Sequence, residues 1–196
     1  LRNPGDVGAG SLRRAIVNAN ANSGVTNQIT FNIPGGGPFL IQLQSVLPDV
    51  TNPVQINATT QPGYVAGTPK VILAGSGIPG GGNGLNLLAD DSAVSGLVMY
   101  GFAGAAIAVV GSDNTIKSNY IGTDATGNGS GFNNYGIDIS GSNAVVGGIT
   151  FGDRNVISGN TVGVNISSGS GTVITGNHIG LSAAGSGAVP NGTGIA

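Results

Sequence analysis

Eight aspartates, no glutamate, one histidine, four tyrosines and six lysines and arginines supply all the acid–base and charge chemistry of this 196-residue chain, which has no cysteine. Without thiols there is no disulfide, no thiolate nucleophile and no zinc–thiolate site. Ca²⁺ needs six or more oxygens brought together. Asp90 and Asp91 precede Val94 much as Asp113 precedes Ile116, so adjacent turns would stack these carboxylates, and Asp124 in the run 123–134 is a second Ca²⁺ candidate. The plainer reading is a solvated turn ladder for the first group and an Asx-type turn for Asp124. No cofactor is expected, with Ca²⁺ the one metal whose ligands are in view.

Cleaving a polysaccharide takes clustered carboxylates, with a basic residue on the same face for the lyases. Asp138 alone among the acids falls on an outward strand position, in the row Asn86, Ala108, Asp138, Asn165. His178 is the sole histidine and aligns with Tyr120; without a neighbouring acid or second histidine it is surface rather than catalyst. Asp138, Asn165, Tyr120 and His178 are therefore ligand-face candidates, and no catalytic residue is assigned. Tyr64, Tyr100, Tyr120 and Tyr135 have no regular spacing that would align them for sugar stacking, and Asp153-Arg154 reads as a turn ion pair. The row lacks the threonines of an ice-binding face.

The elements that must carry these residues are unusual. Glycine takes 38 positions and asparagine 21, while only 7% of residues are charged. Gly and Asn tolerate left-handed backbone, so the composition implies many tight turns and little helix. Collagen is excluded because glycine has no period of three, and disorder because 39% of residues are apolar. Balanced charge without Trp argues against nucleic acid. No apolar run approaches about 18 residues, so no membrane insertion is expected in this segment.

One amphipathic helix is expected over 11–22, capped by Ser11, with Leu12, Ala15, Ile16 and Ala19 on one face. Short strands are expected at 29–33, 39–44, 54–57 and 71–74. From residue 84 the chain repeats: Gly84-Leu85-Asn86-Leu87, Ala106-Ile107-Ala108-Val109, Gly136-Ile137-Asp138-Ile139, Gly163-Val164-Asn165-Ile166 and Gly194-Ile195-Ala196. A second motif, residues 114–122, aligns with 172–180, with a degenerate copy at 155–160 that places Asn119, Asn160 and Asn177 in one left-handed asparagine ladder. Such short units bury a face only by stacking. The expected fold is an all-β, right-handed, single-stranded parallel β-helix of roughly six to seven turns with a short N-terminal capping helix. Its divisions are 1–28 as cap, 29–83 as irregular first coils and 84–196 as regular coils, truncated at the C-terminus. The long segments Thr123 to Asn134 and Leu181 to Thr193 should leave the solenoid at one corner.

The Gly-Ile-x-Ile and Ile-x-Gly-Asn-x-Ile-Gly units resemble the parallel β-helix repeats of pectate-lyase-like proteins. Gly10-Ser11-Leu12-Arg13-Arg14-Ala15-Ile16, Thr59-Thr60-Gln61-Pro62-Gly63-Tyr64, Asn119-Tyr120-Ile121-Gly122-Thr123-Asp124 and Arg154-Asn155-Val156-Ile157-Ser158-Gly159-Asn160 resemble a group of large secreted bacterial surface proteins. The resemblance implies an extracellular or cell-surface location and brings no active-site motif. The expected function is a non-catalytic structural or adhesive module. The alternatives are a carbohydrate-binding or polysaccharide-cleaving β-helix using the two long loops, and a fibre subunit joined through an open solenoid end. Expected partners are surface glycans or further copies end to end.

Overall fold

A computed structural model describes residues 1–196. Seventeen strands form three sheets in which all ladders are parallel. The first sheet holds β1 (Asn27–Thr30), β3 (Val54–Asn57), β6 (Ala93–Ser95), β9 (Thr115–Lys117), β12 (Val145–Gly147) and β15 (Val173–Thr175). The second holds β2 (Phe39–Gln42), β4 (Val71–Ala74), β7 (Leu97–Tyr100), β10 (Tyr120–Ile121), β13 (Val156–Ile157) and β16 (His178–Ile179). The third holds β5 (Leu85–Leu87), β8 (Phe102–Val109), β11 (Asn133–Ile139), β14 (Val162–Ile166) and β17 (Thr193–Ile195). The chain visits the sheets in turn, six times for the first two. This is a parallel β-helix.

Strand alternation decides what faces inward. Ile29, Ile56, Val94, Ile116, Val146 and Ile174 stack in the first sheet; Ile41, Leu73, Met99, Ile121, Ile157 and Ile179 in the second. In the third, Leu85, Ile107, Ile137, Val164 and Ile195 are in register, as the repeat spacing requires. The inward members of all but the last coil join one core of 34 residues, each large side chain contributing about 1.5–3 kcal/mol by leaving water.

Helix α1 (Leu12–Ala21) closes the N-terminal end: Ser11 caps it, its side chain accepting from Arg14 N–H at 3.3 Å, and Leu12, Ile16 and Ala19 enter the core. Asp6 locks the cap to the coils. One of its oxygens pairs with Arg13 at 2.7 Å and the other accepts Gln44 N–H at 2.9 Å, while Arg13 also donates to the carbonyls of Ser45 and Val46.

Three expectations need correcting. The strand expected at 29–33 ends at Thr30, because side chains replace a neighbouring strand beyond it: Phe31 N–H donates to Thr60 Oγ1 and Ile33 N–H to Gln61 Oε1, both at 2.8 Å. The strand expected to run to Gln44 ends at Gln42. The asparagines form two ladders rather than one. Between the first and second sheets, Leu97 N–H donates to Asn119, Asn119 N–H to Asn155 and Asn155 N–H to Asn177; between the second and third, Asn133, Asn160 and Asn191 repeat the pattern. Their backbone is not left-handed. Before Asn119, Asn133, Asn160 and Asn177 the preceding residue carries that conformation, Ser118 at φ 64°, Phe132 at 61°, Gly159 at 76° and Gly176 at 69°, whereas Arg154 before Asn155 is extended at φ −61°. Gly122 is required on both counts, with φ 86° and a Cβ that would stand 2.1 Å from Asn160 Oδ1.

Candidate binding bay on the first sheet

The residues singled out in the sequence do not gather into one site. Asp91, Asp113 and Asn143 form a column of left-handed turn residues with φ of 54°, 59° and 58°, and Gly171 continues it at 75°. Two of the neighbouring carboxylates are engaged locally: Asp90 Oδ1 accepts Ser112 N–H at 2.7 Å and Asp113 Oδ1 accepts the Asn143 amide at 3.1 Å. Asp124 accepts the N–H and hydroxyl of Thr126 and the N–H of Asn128. Burial raises its pKa, but the Thr126 hydroxyl and the N–H groups of Gly129, Asn128 and Thr126 outweigh this and hold it below the usual carboxylate range. No group of three or more His or Asp side chains is placed to hold a metal.

Asp138 and Asn165 are adjacent on the outer third sheet, the amide donating to the carboxylate at 2.8 Å. Tyr120 and His178 lie on the outer second sheet in the column Leu40, Ile72, Val98, Tyr120, Val156, His178. Over its middle coils that face is apolar and covered, Tyr120 being 4% exposed with its hydroxyl donating to Gly67 O, while Leu40 is 48% exposed and His178 half-buried. The cover includes the two long loops. Each begins at the expected corner, after Gly122 or Gly180, and folds back over the sheet, where Ala183 N–H donates to Gly127 O and Gly185 lies against the His178 ring. The imidazole Nδ1 bonds Ser182 O at 3.2 Å.

A different corner makes a recess. Between the first and second sheets the turn is one residue in the β6–β7 coil and two in β9–β10 and β15–β16. It expands to 58–70 between β3 and β4 and to 148–155 between β12 and β13. Two tight coils thus lie between two long loops. The loops meet over the second sheet, where Gly67 abuts the Phe151 ring, and leave a bay of about 360 Å³ open over the first. Asn57, Ser95 and Lys117, in register on successive coils, form its floor; Tyr64 lies on one wall and Gly152 and Asp153 on the other.

The bay is held by its own polar groups. Lys117 Nζ pairs with Asp153 Oδ1 at 3.0 Å, the Thr150 hydroxyl donates to Asp153 Oδ2 at 2.6 Å, and Ser118 donates its hydroxyl to Gly152 O at 2.6 Å. The Thr150 and Lys117 hydrogen bonds hold the Asp153 carboxyl below the usual range against slight burial. Burial raises the Tyr64 pKa, the Ser118 hydroxyl offsets part of that and the Asp153 charge adds to it, so the phenol stays protonated at neutral pH. Arg154 does not pair with Asp153 as the sequence suggested; it stacks on Phe151 at 5.4 Å and donates to Gly176 O.

Sequence reasoning missed this bay because it aligned Asn160 with Asn119. Matching Asn155 instead exposes the insertion 148–154 as a loop equivalent in position to 58–70. The larger hollow, of about 440 Å³, lies between α1 and the outer edge of β1, where Asn22 and Asn27 are already bonded to each other. Compared with protein-family models and with curated protein sequences, the chain matches none.

Proposed function

We propose that the chain is a non-catalytic structural or adhesive module of an extracellular bacterial surface protein, pectate-lyase-like in its repeats. The observation that carries this is the make-up of the bay: Asp153 is its one carboxylate, both its oxygens are engaged by Lys117 and Thr150, and no second carboxylate lines the bay to complete an acid–base pair. The motif resemblance supports the surface setting. Incubation with a panel of polysaccharides tests the reading: retention without new reducing ends or unsaturated products is expected, and cleavage abolished by Asp138→Ala or Asp153→Ala overturns it.

A second reading is end-to-end assembly, which stacked parallel coils favour because each coil's backbone row pairs with the next along the axis. Size measured across concentration tests it; a strictly monomeric chain at high concentration rejects self-assembly.

A further inference from the structure

We propose that the bay takes an uncharged, hydroxyl-rich glycan laid along the coil axis, a proposal that rests on the adhesive reading and names its ligand class. The bay's charges cancel. Lys117 and Asp153 are bonded to each other, so neither an acidic nor a cationic polymer gains a free counter-charge there. A vicinal diol suits the pair, with one hydroxyl donating to the carboxylate and accepting from the ammonium, because hydrogen bonds to ionised partners are the stronger ones.

The rest of the bay matches a hydroxyl-bearing chain. Asn57, Ser95 and Lys117 stand one above another at about the 4.8 Å step of the coils; Asn57 Oδ1 is taken by Thr59 and by the Ser95 hydroxyl at 3.2 Å, which leaves the Asn57 amide N–H groups to donate and the Ser95 oxygen to accept. The two flanking loops belong to coils three steps apart, about 14 Å, room for a short oligosaccharide rather than a single sugar. Tyr64 presents a protonated phenol to this space, able to donate to a sugar oxygen.

The test is a calorimetric titration of the whole chain with neutral β-glucan and mannan oligosaccharides, polygalacturonate and chitosan oligomers. At least one neutral probe is expected to bind, with Tyr64→Phe weakening it about fivefold and Lys117→Ala/Asp153→Asn, which keeps the net charge, about tenfold or more. Asn128→Ala, on the loop over the second sheet, should leave binding unchanged, and melting temperatures check that each variant is folded. Tighter binding of polygalacturonate or chitosan than of every neutral probe overturns the proposal. So does neutral-glycan binding that the bay variants leave intact, in which case the adhesive reading stands. Binding to no glycan overturns the proposal as well, and retention on bacterial cell surfaces then decides the adhesive reading separately.

Discussion

Asn155 is the position where the corner ladder is most exposed to a single change. Its side chain is fully buried, accepts from Asn119 N–H at 2.9 Å and the Asn119 amide at 3.2 Å, and donates to Ile116 O at 2.8 Å and Asn177 Oδ1 at 2.9 Å. Asn155→Ala orphans the buried Asn119 N–H, which costs about 1–3 kcal/mol, and removes further hydrogen bonds worth about 1 kcal/mol each. With three such bonds the sum is about 4–6 kcal/mol, a fall in melting temperature of roughly 10–20 °C for a chain of this size. Asn155→Asp keeps the acceptor but turns one oxygen toward Ile116 O and Asn177 Oδ1. The ionised carboxylate is disfavoured there, so its native pKa is raised and the variant's stability is greatest below the unfolded value near pH 4 and lost as pH rises. Thermal melts of both variants across pH, with amide exchange at Asn119, are the assay. A fall no larger than that of Asn165→Ala on the outer face, or an Asp variant with no acid rescue, refutes the ladder as a source of stability.

Asp6→Ala should cost about 3 kcal/mol by leaving Arg13 without its carboxylate partner, and amide exchange should rise first in α1 rather than in the later coils. Asp113→Asn keeps a residue that tolerates the left-handed turn, so its melting temperature should stay close to the parent's; a Ca²⁺-dependent rise in the parent that this variant reduces would instead establish the turn column as a cation site. Asp124 and Asp153 have lowered pKa values, so their contribution is present above the usual carboxylate range and lost as pH falls through the native values. Acid titration followed by hydrogen exchange should loosen 123–130 and 148–154 before the sheets. Tyr64 and Tyr120 are shifted upward, so their contribution holds at neutral pH and fades above about pH 10.

Much of the fold was legible because inward positions repeat. Leu85, Ile107, Ile137 and Val164 announce their register by like side chains at like places, and Ser11 with the apolar face of α1 announces the cap. The corners were less legible, since several asparagines in one turn can each be the rung, and only the backbone shows that Asn155, not Asn160, follows Asn119. The outer second sheet misleads for a related reason. Tyr120 and His178 do point outward, but Tyr120 is covered by Gly67 of a loop distant in sequence and His178 by the turn at Ser182 and Gly185 that follows it. The bay was hidden because its floor comes from three coils and its walls from two insertions, a grouping that no local motif records.

Titration of isotope-labelled protein with a neutral oligosaccharide, followed residue by residue by NMR, tests the binding-module account most directly. Shifts centred on Ser95, Lys117, Ser118, Gly152 and Asp153, with the sugar spectrum intact over time, are the expected result. Shifts centred on the loops 123–134 and 181–193, or signals of a shortened sugar, would contradict it.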